Sequence, residues 1–177
     1  SASYHIAVPT TTDQALIANV ASGTNTYSLG ALSGVAGSVL RNGASVTGAT
    51  TFEIGGSGLS TEFAGRIGGG GGSIGLTKIG AGALTLSGAS TYSGPTAVNA
   101  GALWVNGSLG FSSVSVASGA TLGGSGVIGG PVAVASGGSL APGPVGPGWL
   151  TLSQSLSLPA GATLRMEINR ASFEASD

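Results

Sequence analysis

LTKIGAGALTLSGASTYSGPTAVNAGAL, Leu76–Leu103, contains one phrase twice: AGAL at Ala81–Leu84 and again at Ala100–Leu103. The phrase returns as SGATL at Ser118–Leu122, SGGSL at Ser136–Leu140 and AGATL at Ala160–Leu164. Between its glycines (Gly82, Gly101, Gly119, Gly138 and Gly161) the steps are 19, 18, 19 and 23 residues. Short alternating runs separate the copies: Leu84-Thr85-Leu86, Leu103-Trp104-Val105, Val114-Ser115-Val116, Val132-Ala133-Val134 and Leu150-Thr151-Leu152. Period-two alternation over so few residues reads as short strands with one buried face. Gly, Ser, Asn and Pro bound each run and supply the turn geometries. A fixed period of this length marks stacked structural repeats. The predicted fold is all-β: a right-handed parallel β-helix (solenoid) of short strands, with 18–23 residues per rung. Its Leu, Val and Ile side chains line up inside in columns, about 4.8 Å from rung to rung. At that period the chain is expected to make about eight or nine rungs, roughly 40 Å of solenoid.

A β-sandwich is the rival, because Asn42-Gly43 and Asn106-Gly107 are hairpin signals. Recurrence at rung length rather than hairpin length favours the solenoid. Helix is disfavoured throughout, since interior glycines penalise it. The one passable stretch, Thr12–Asn19 (TDQALIAN), is too short to hold itself together and reads as strand or loop. The five glycines Gly68–Gly72 read as a loop leaving the coil. Pro-rich Ala141–Gly148 (APGPVGPG) reads as an insertion that lengthens the last step, because Pro cannot donate to a ladder.

From Ile79 to Leu164 there is no Asp, Glu, Lys, Arg or His, so these 86 residues can do no acid–base work. Charged residues are 6% of the chain, against roughly 25% in an ordinary domain. With a net charge of −1 there is no electrostatic footprint for nucleic acid. Gly and Pro make up 42 of 177 residues, a level seen in disordered chains. A mean hydropathy of +0.43 argues against disorder here and makes the glycines turn residues. No run is long and apolar enough for a membrane-spanning helix. Without cysteine there is no thiol catalysis and no thiolate metal site. The opening SASYHIAV lacks the basic start and apolar run of a signal peptide, so the chain is expected to begin at a boundary rather than a leader.

Two G-x-G-x-x-G matches, Gly70–Gly75 and Gly124–Gly129, have no acidic residue between Glu62 and Glu167 to hold a ribose and read as turns. The carboxylates are Asp13, Glu53, Glu62, Glu167, Glu174 and Asp177. Glu53 and Glu62 are the candidate pair for sugar-cleaving chemistry, weighed against simple solvated charges, which is the favoured reading. The calcium nonapeptide pattern fails at Gly55–Ser60. His5, the lone histidine, reads as a surface residue, and Lys78 is expected to point outward. Thr10–Thr12 and Thr24–Thr26 do not recur on successive rungs, so no ice-binding ladder is expected. Trp104 alternates with Leu103 and Val105 and lies on their opposite face, exposed or covered by Pro142–Pro147. It is the candidate surface-binding residue. No catalytic, cofactor-binding or metal-binding residue is predicted. The residues expected to carry the repeat are Gly80, Gly82, Leu84, Leu86, Gly88, Tyr92, Gly94, Val98, Gly101, Leu103 and Val105.

Ile54–Leu109, and most specifically Leu76–Leu103, resembles the passenger-associated transport repeat (autotransporter-associated β-strand repeat) of bacterial autotransporters. Gly137–Ile168 is similar to the segment that usually follows it, so the resemblance covers roughly Thr51–Ile168. It implies a cell-surface or secreted passenger of a Gram-negative bacterium, exported across the outer membrane with the C-terminal β-barrel of the same precursor as partner. The implied role is non-enzymatic: promoting folding and export, and presenting an N-terminal effector part. Alternatives are an adhesin surface for host glycan or protein, and a fragment of a polysaccharide-active enzyme. On this reading residues 1–50 form N-terminal rungs, 51–109 the transport-repeat region and 110–177 truncated C-terminal rungs, all in one continuous solenoid.

Overall fold

The computed structural model describes residues 4–7, 15–18, 23–143 and 149–166. Strands stack on three faces, and from Thr50 onward each described turn visits them in the same order. The first face stacks Tyr4–Ala7, Asn25–Ser33, Thr50–Ile54, Ile74–Lys78, Thr96–Val98, Val114–Val116, Val132–Val134 and Leu156–Ser157. The second stacks Thr61–Phe63, Ala83–Leu86, Ala102–Val105, Thr121–Gly124, Ser139–Pro142 and Thr163–Leu164. The third consists of two sheets, Ala15–Ala18 with Val39–Asn42 and Arg66–Ile67, then Ala89–Ser90 with Ser108–Leu109, Val127–Ile128 and Thr151–Leu152.

Every strand pairing among the described residues is parallel, in neighbouring turns. This is the predicted β-solenoid, and it removes the sandwich. Asn42-Gly43 and Asn106-Gly107 end a strand at a corner instead of closing a hairpin. The weak helix candidate contains the strand Ala15–Ala18, and its remaining residues lie outside those described.

Period-two alternation sends every second side chain inward. Leu84, Leu103, Leu122 and Leu140 stand in register on the second face, all buried. Val98, Val116 and Val134 do so on the first face, and Leu109 and Ile128 on the third. Each buried Leu or Val contributes about 1.5–3 kcal/mol relative to exposure. The columns therefore hold neighbouring turns together, while the backbone ladder fixes their register.

The turns are not uniform. On the first face Asn25 pairs with Thr50 and Thr50 with Ile74, steps of 25 and 24 residues. Leu76 pairs with Thr96, Thr96 with Val114 and Val114 with Val132, steps of 20, 18 and 18. Val132 to Leu156 is again 24, across the Pro-rich segment. The expected eight or nine rungs therefore become about six turns, because the phrase's period holds only for the middle of the chain.

The five glycines do not leave the coil. Gly68 N donates to Leu40 O (3.0 Å) and Gly71 N to Gly43 O (3.1 Å), so the run lies on the corner of the turn beneath. A Cβ built at Gly71 would come 2.3 Å from Val46 O, and one at Gly72 would come 1.9 Å from Gly48 O. Backbone meets backbone there more closely than any side chain would allow.

Candidate functional site

The turn from Ile74 to Leu103 is where the long turns give way to the short ones. Its strand Ile74–Lys78 alternates Leu76 inward, Thr77 outward and Lys78 inward, so Lys78 continues the column from Ile54 to Val98. Lys78 is 1% exposed, contrary to the expected outward position. Its stem lies in the apolar column, and its Nζ donates to the carbonyls of Ile79 (2.6 Å), Gly80 (2.9 Å) and Ala100 (3.2 Å). An ammonium has three protons to donate, and here each has a carbonyl. Burial lowers the Lys78 pKa from the ordinary value, by removing water from the charged form. The three carbonyls favour the charged form and oppose that shift.

The corner after Lys78 carries the glycines of the repeated phrase. Gly80 sits at φ +70°, where an L side chain is strained, and a Cβ there would also lie 2.0 Å from Gly55 O. Gly101 takes the same left-handed conformation one turn on. Gly82, Gly88 and Gly94 are set by space instead, since their built Cβ atoms would come 2.3, 1.9 and 2.4 Å from carbonyl oxygens of the turn below. Leu84, Leu86, Val98, Leu103 and Val105 all point inward and are buried. The structure thus gathers the eleven repeat residues into two adjacent turns, as corners and core.

Tyr92 is buried at the corner between the third and first faces. Its hydroxyl shares a hydrogen bond with Thr96 Oγ1 (2.8 Å), which in turn pairs with Ser112 Oγ (2.7 Å), and Ser112 donates to Gly94 O (2.7 Å). Burial pushes the Tyr92 phenol well above the ordinary tyrosine value of 10.0, against the smaller opposing pull of its hydroxyl partners. Ser90, also buried, accepts from Ile67 N of the preceding turn (3.1 Å). Sequence reading missed Lys78, Ser90, Thr96 and Ser112 as interior groups. For Lys78 and Thr96 the signal was present: each lies two residues from an inward Leu or Val, so period two places them inside.

Trp104 is half-buried on the outer second face, between Thr85 and Gly123. A Cβ at Gly123 would lie 2.5 Å from its ring, so the indole occupies the space left by the missing side chain. Of the loop Pro142–Pro147 expected over Trp104, residues 144–147 lie outside the described part. Glu53 projects outward on the first face, accepting from Ser28 Oγ (2.8 Å), whereas Glu62 projects outward on the second, accepting from Ser87 Oγ (2.5 Å). They occupy different faces and form no carboxylate pair. Asp13, Glu167, Glu174, Asp177 and the side chain of His5 lie outside what is described. Among the described residues no three His, Cys, Asp or Glu gather as metal ligands. A recess of about 200 Å³, lined by Gly37, Ser38, Ala64, Gly65, Arg66, Gly88 and Ala89, marks the corner between the second and third faces.

Residues 76–105 match the family of the passenger-associated-transport-repeat. The matched residues start two positions before Lys78 and end at Val105, spanning the corner and columns just described. With the parallel solenoid around them, they fit an autotransporter passenger repeat. No curated protein and no solved structure matches the chain.

Proposed function

We propose that this chain is a non-enzymatic β-helical segment of an autotransporter passenger, and that its turns promote folding and export across the outer membrane. The C-terminal β-barrel of the same precursor is its partner, and the Gram-negative cell surface or the medium is its destination. What carries the reading is the match over residues 76–105 together with the register of Leu84, Leu103, Leu122 and Leu140. Each turn added buries one more member of every column and bonds to the turn before it, so stability grows turn by turn. For a domain of this size folding supplies on the order of 10 kcal/mol, enough to oppose backsliding of an exported thread. The thread has no cysteine to form a disulfide, and its described residues form no helix that would resist a pore.

The test is surface display of the parent passenger with Leu76–Leu109 replaced by a Gly/Ser linker of equal length. Collapse of display, or arrival in a protease-sensitive form, is expected. Intact display with full protease resistance overturns the reading.

An adhesin surface is the second reading, favoured by the indole of Trp104 lying on an outer face beside Gly123. Trp104→Ala is then expected to abolish glycan binding without altering display. Unchanged binding by the variant sinks that reading.

A further inference from the structure

Lys78 is an unusual residue for its surroundings. It is buried, it is the last charged residue before the 86-residue stretch without charge, and neither described carboxylate, Glu53 or Glu62, pairs with it. The nearest acid in register terms, Glu53, stands on the adjoining strand but points outward and is engaged by Ser28. Arg41 and Arg66 belong to the third face. What surrounds the ammonium is backbone: Ile79 O and Gly80 O of its own corner and Ala100 O of the next.

Those carbonyls are special in position. Elsewhere along the stack a strand carbonyl accepts from the amide of the next turn, as Lys78 O accepts from Asn99 N (2.9 Å) and Ile54 O from Ile79 N (2.8 Å). The carbonyls of Ile79, Gly80 and Ala100 accept from no backbone amide among the described residues and take the Lys78 ammonium instead. The length of this corner also changes here. Ser60 sits opposite Ala83 by extension of the Thr61–Leu84 register, and Ala83 opposite Ala102. From the first-face column to the second face the chain therefore uses six residues after Ile54, five after Lys78 and four after Val98. A buried carbonyl without a donor is destabilising, and the Lys78 ammonium supplies three donors at the step where the lengths differ.

We propose that Lys78 is a turn-closing clamp: its ammonium joins the carbonyls of its own corner to Ala100 of the next, and so ties the first two short turns together where their corners differ in length. The proposal rests on the reading of this chain as a segment whose turns fold in succession, and names the residue that sets the junction. A clamp differs from a space-filling side chain in needing the charge and not only the volume.

The experiment uses the full 177-residue chain and compares Lys78→Met, which keeps the stem and removes the donors, with Lys78→Ala. In Lys78→Met, amide hydrogen exchange at Asn99 and Ala102 is expected to quicken at least about tenfold relative to exchange at Val116, remote from the clamp. In Lys78→Ala, n-propylammonium, the excised part of the side chain, is expected to raise the melting temperature saturably, while n-propanol does not. Exchange in Lys78→Met equal to wild type, or equal rescue by the alcohol, shows a space-filling lysine and overturns the clamp. Should Lys78→Ala fail to fold, the Lys78→Met exchange result decides alone. A clamp seen in solution with display of the parent unaffected by Lys78→Met would leave this inference standing and count against the export role.

Discussion

Thr50 and Thr96 are both fully buried on the first face, one among the long turns and one among the short, and among the described residues only Thr96 has a side-chain partner. The contrast extends to the regions around them. Buried side-chain polar atoms without a hydrogen bond are found at Tyr27, Ser38, Arg41, Asn42 and Thr50. Lys78, Ser90, Thr96 and Ser112, the buried polar residues of the later turns, all have partners. The early turns step by 24 and 25 residues and the middle ones, which hold these four residues, by 18 to 20. Across the 18-residue step Ser112 stands over Gly94, two residues before the paired Val114 and Thr96, so its hydroxyl reaches Thr96 Oγ1 and Gly94 O on the neighbouring turn.

Three changes break or sharpen this comparison. The largest effect belongs to the columns of the regular turns. Leu103→Asp puts a carboxylate at a position that is 0% exposed, between Leu84 and Leu122. A loss of more than about 4 kcal/mol is expected, because a buried unpaired charge adds to the lost packing. Denaturant unfolding of the variant checks it, and a midpoint within error of wild type would mean the column is not what holds these turns.

A middle-sized effect separates the two threonines directly. Thr96→Val leaves the Tyr92 hydroxyl without its Thr96 partner and is expected to lose about 1–3 kcal/mol. Thr50→Val removes an oxygen that has no partner to lose, so it is expected to be neutral or stabilising. Paired urea titrations measure both. Equal losses at the two sites would erase the distinction between long and short turns.

The smallest effect is a pH dependence with two opposite signs. The Tyr92 value is raised in the fold, so the folded chain holds a proton the unfolded chain releases. Its stabilising contribution is present below 10.0 and is lost as pH climbs above that value. The Lys78 value is lowered, so the unfolded chain binds more protons in a window ending at 10.5, and stability rises with pH through that window. Urea midpoints from pH 8 to 11, taken for wild type, Tyr92→Phe and Lys78→Met, separate the two. Tyr92→Phe should lose the decline above 10.0 and Lys78→Met the rise before 10.5. A decline that persists in Tyr92→Phe would assign it to another group.

Much of the short-turn region is readable in its residues. Leu84-Thr85-Leu86 and Leu103-Trp104-Val105 alternate cleanly, and the phrase before each marks the same corner in every turn. Gly68–Gly72 was not readable, because five glycines suit an outward loop as well as a corner pressed on Asn42–Gly48. Only the carbonyl oxygens of the turn beneath decide between them. Lys78 was half-readable: Leu76-Thr77-Lys78 places it inside by alternation, but its charge argued for the surface, and the carbonyls that make burial tolerable are invisible in a list of side chains.

The sequence by itself determined the all-β stacking, the inward columns and the position of the repeat corners. Those follow from side-chain alternation and from glycine's steric freedom, properties of a few adjacent residues. The tertiary structure alone decided the length of the early turns, the stacking of the glycine run and the partners of Lys78 and Thr96. The partners that come from other turns, Ser112 for Thr96 and Ala100 for Lys78, lie 16 and 22 residues away along the chain. They come within reach only after neighbouring turns have taken their register, so no local pattern could specify them.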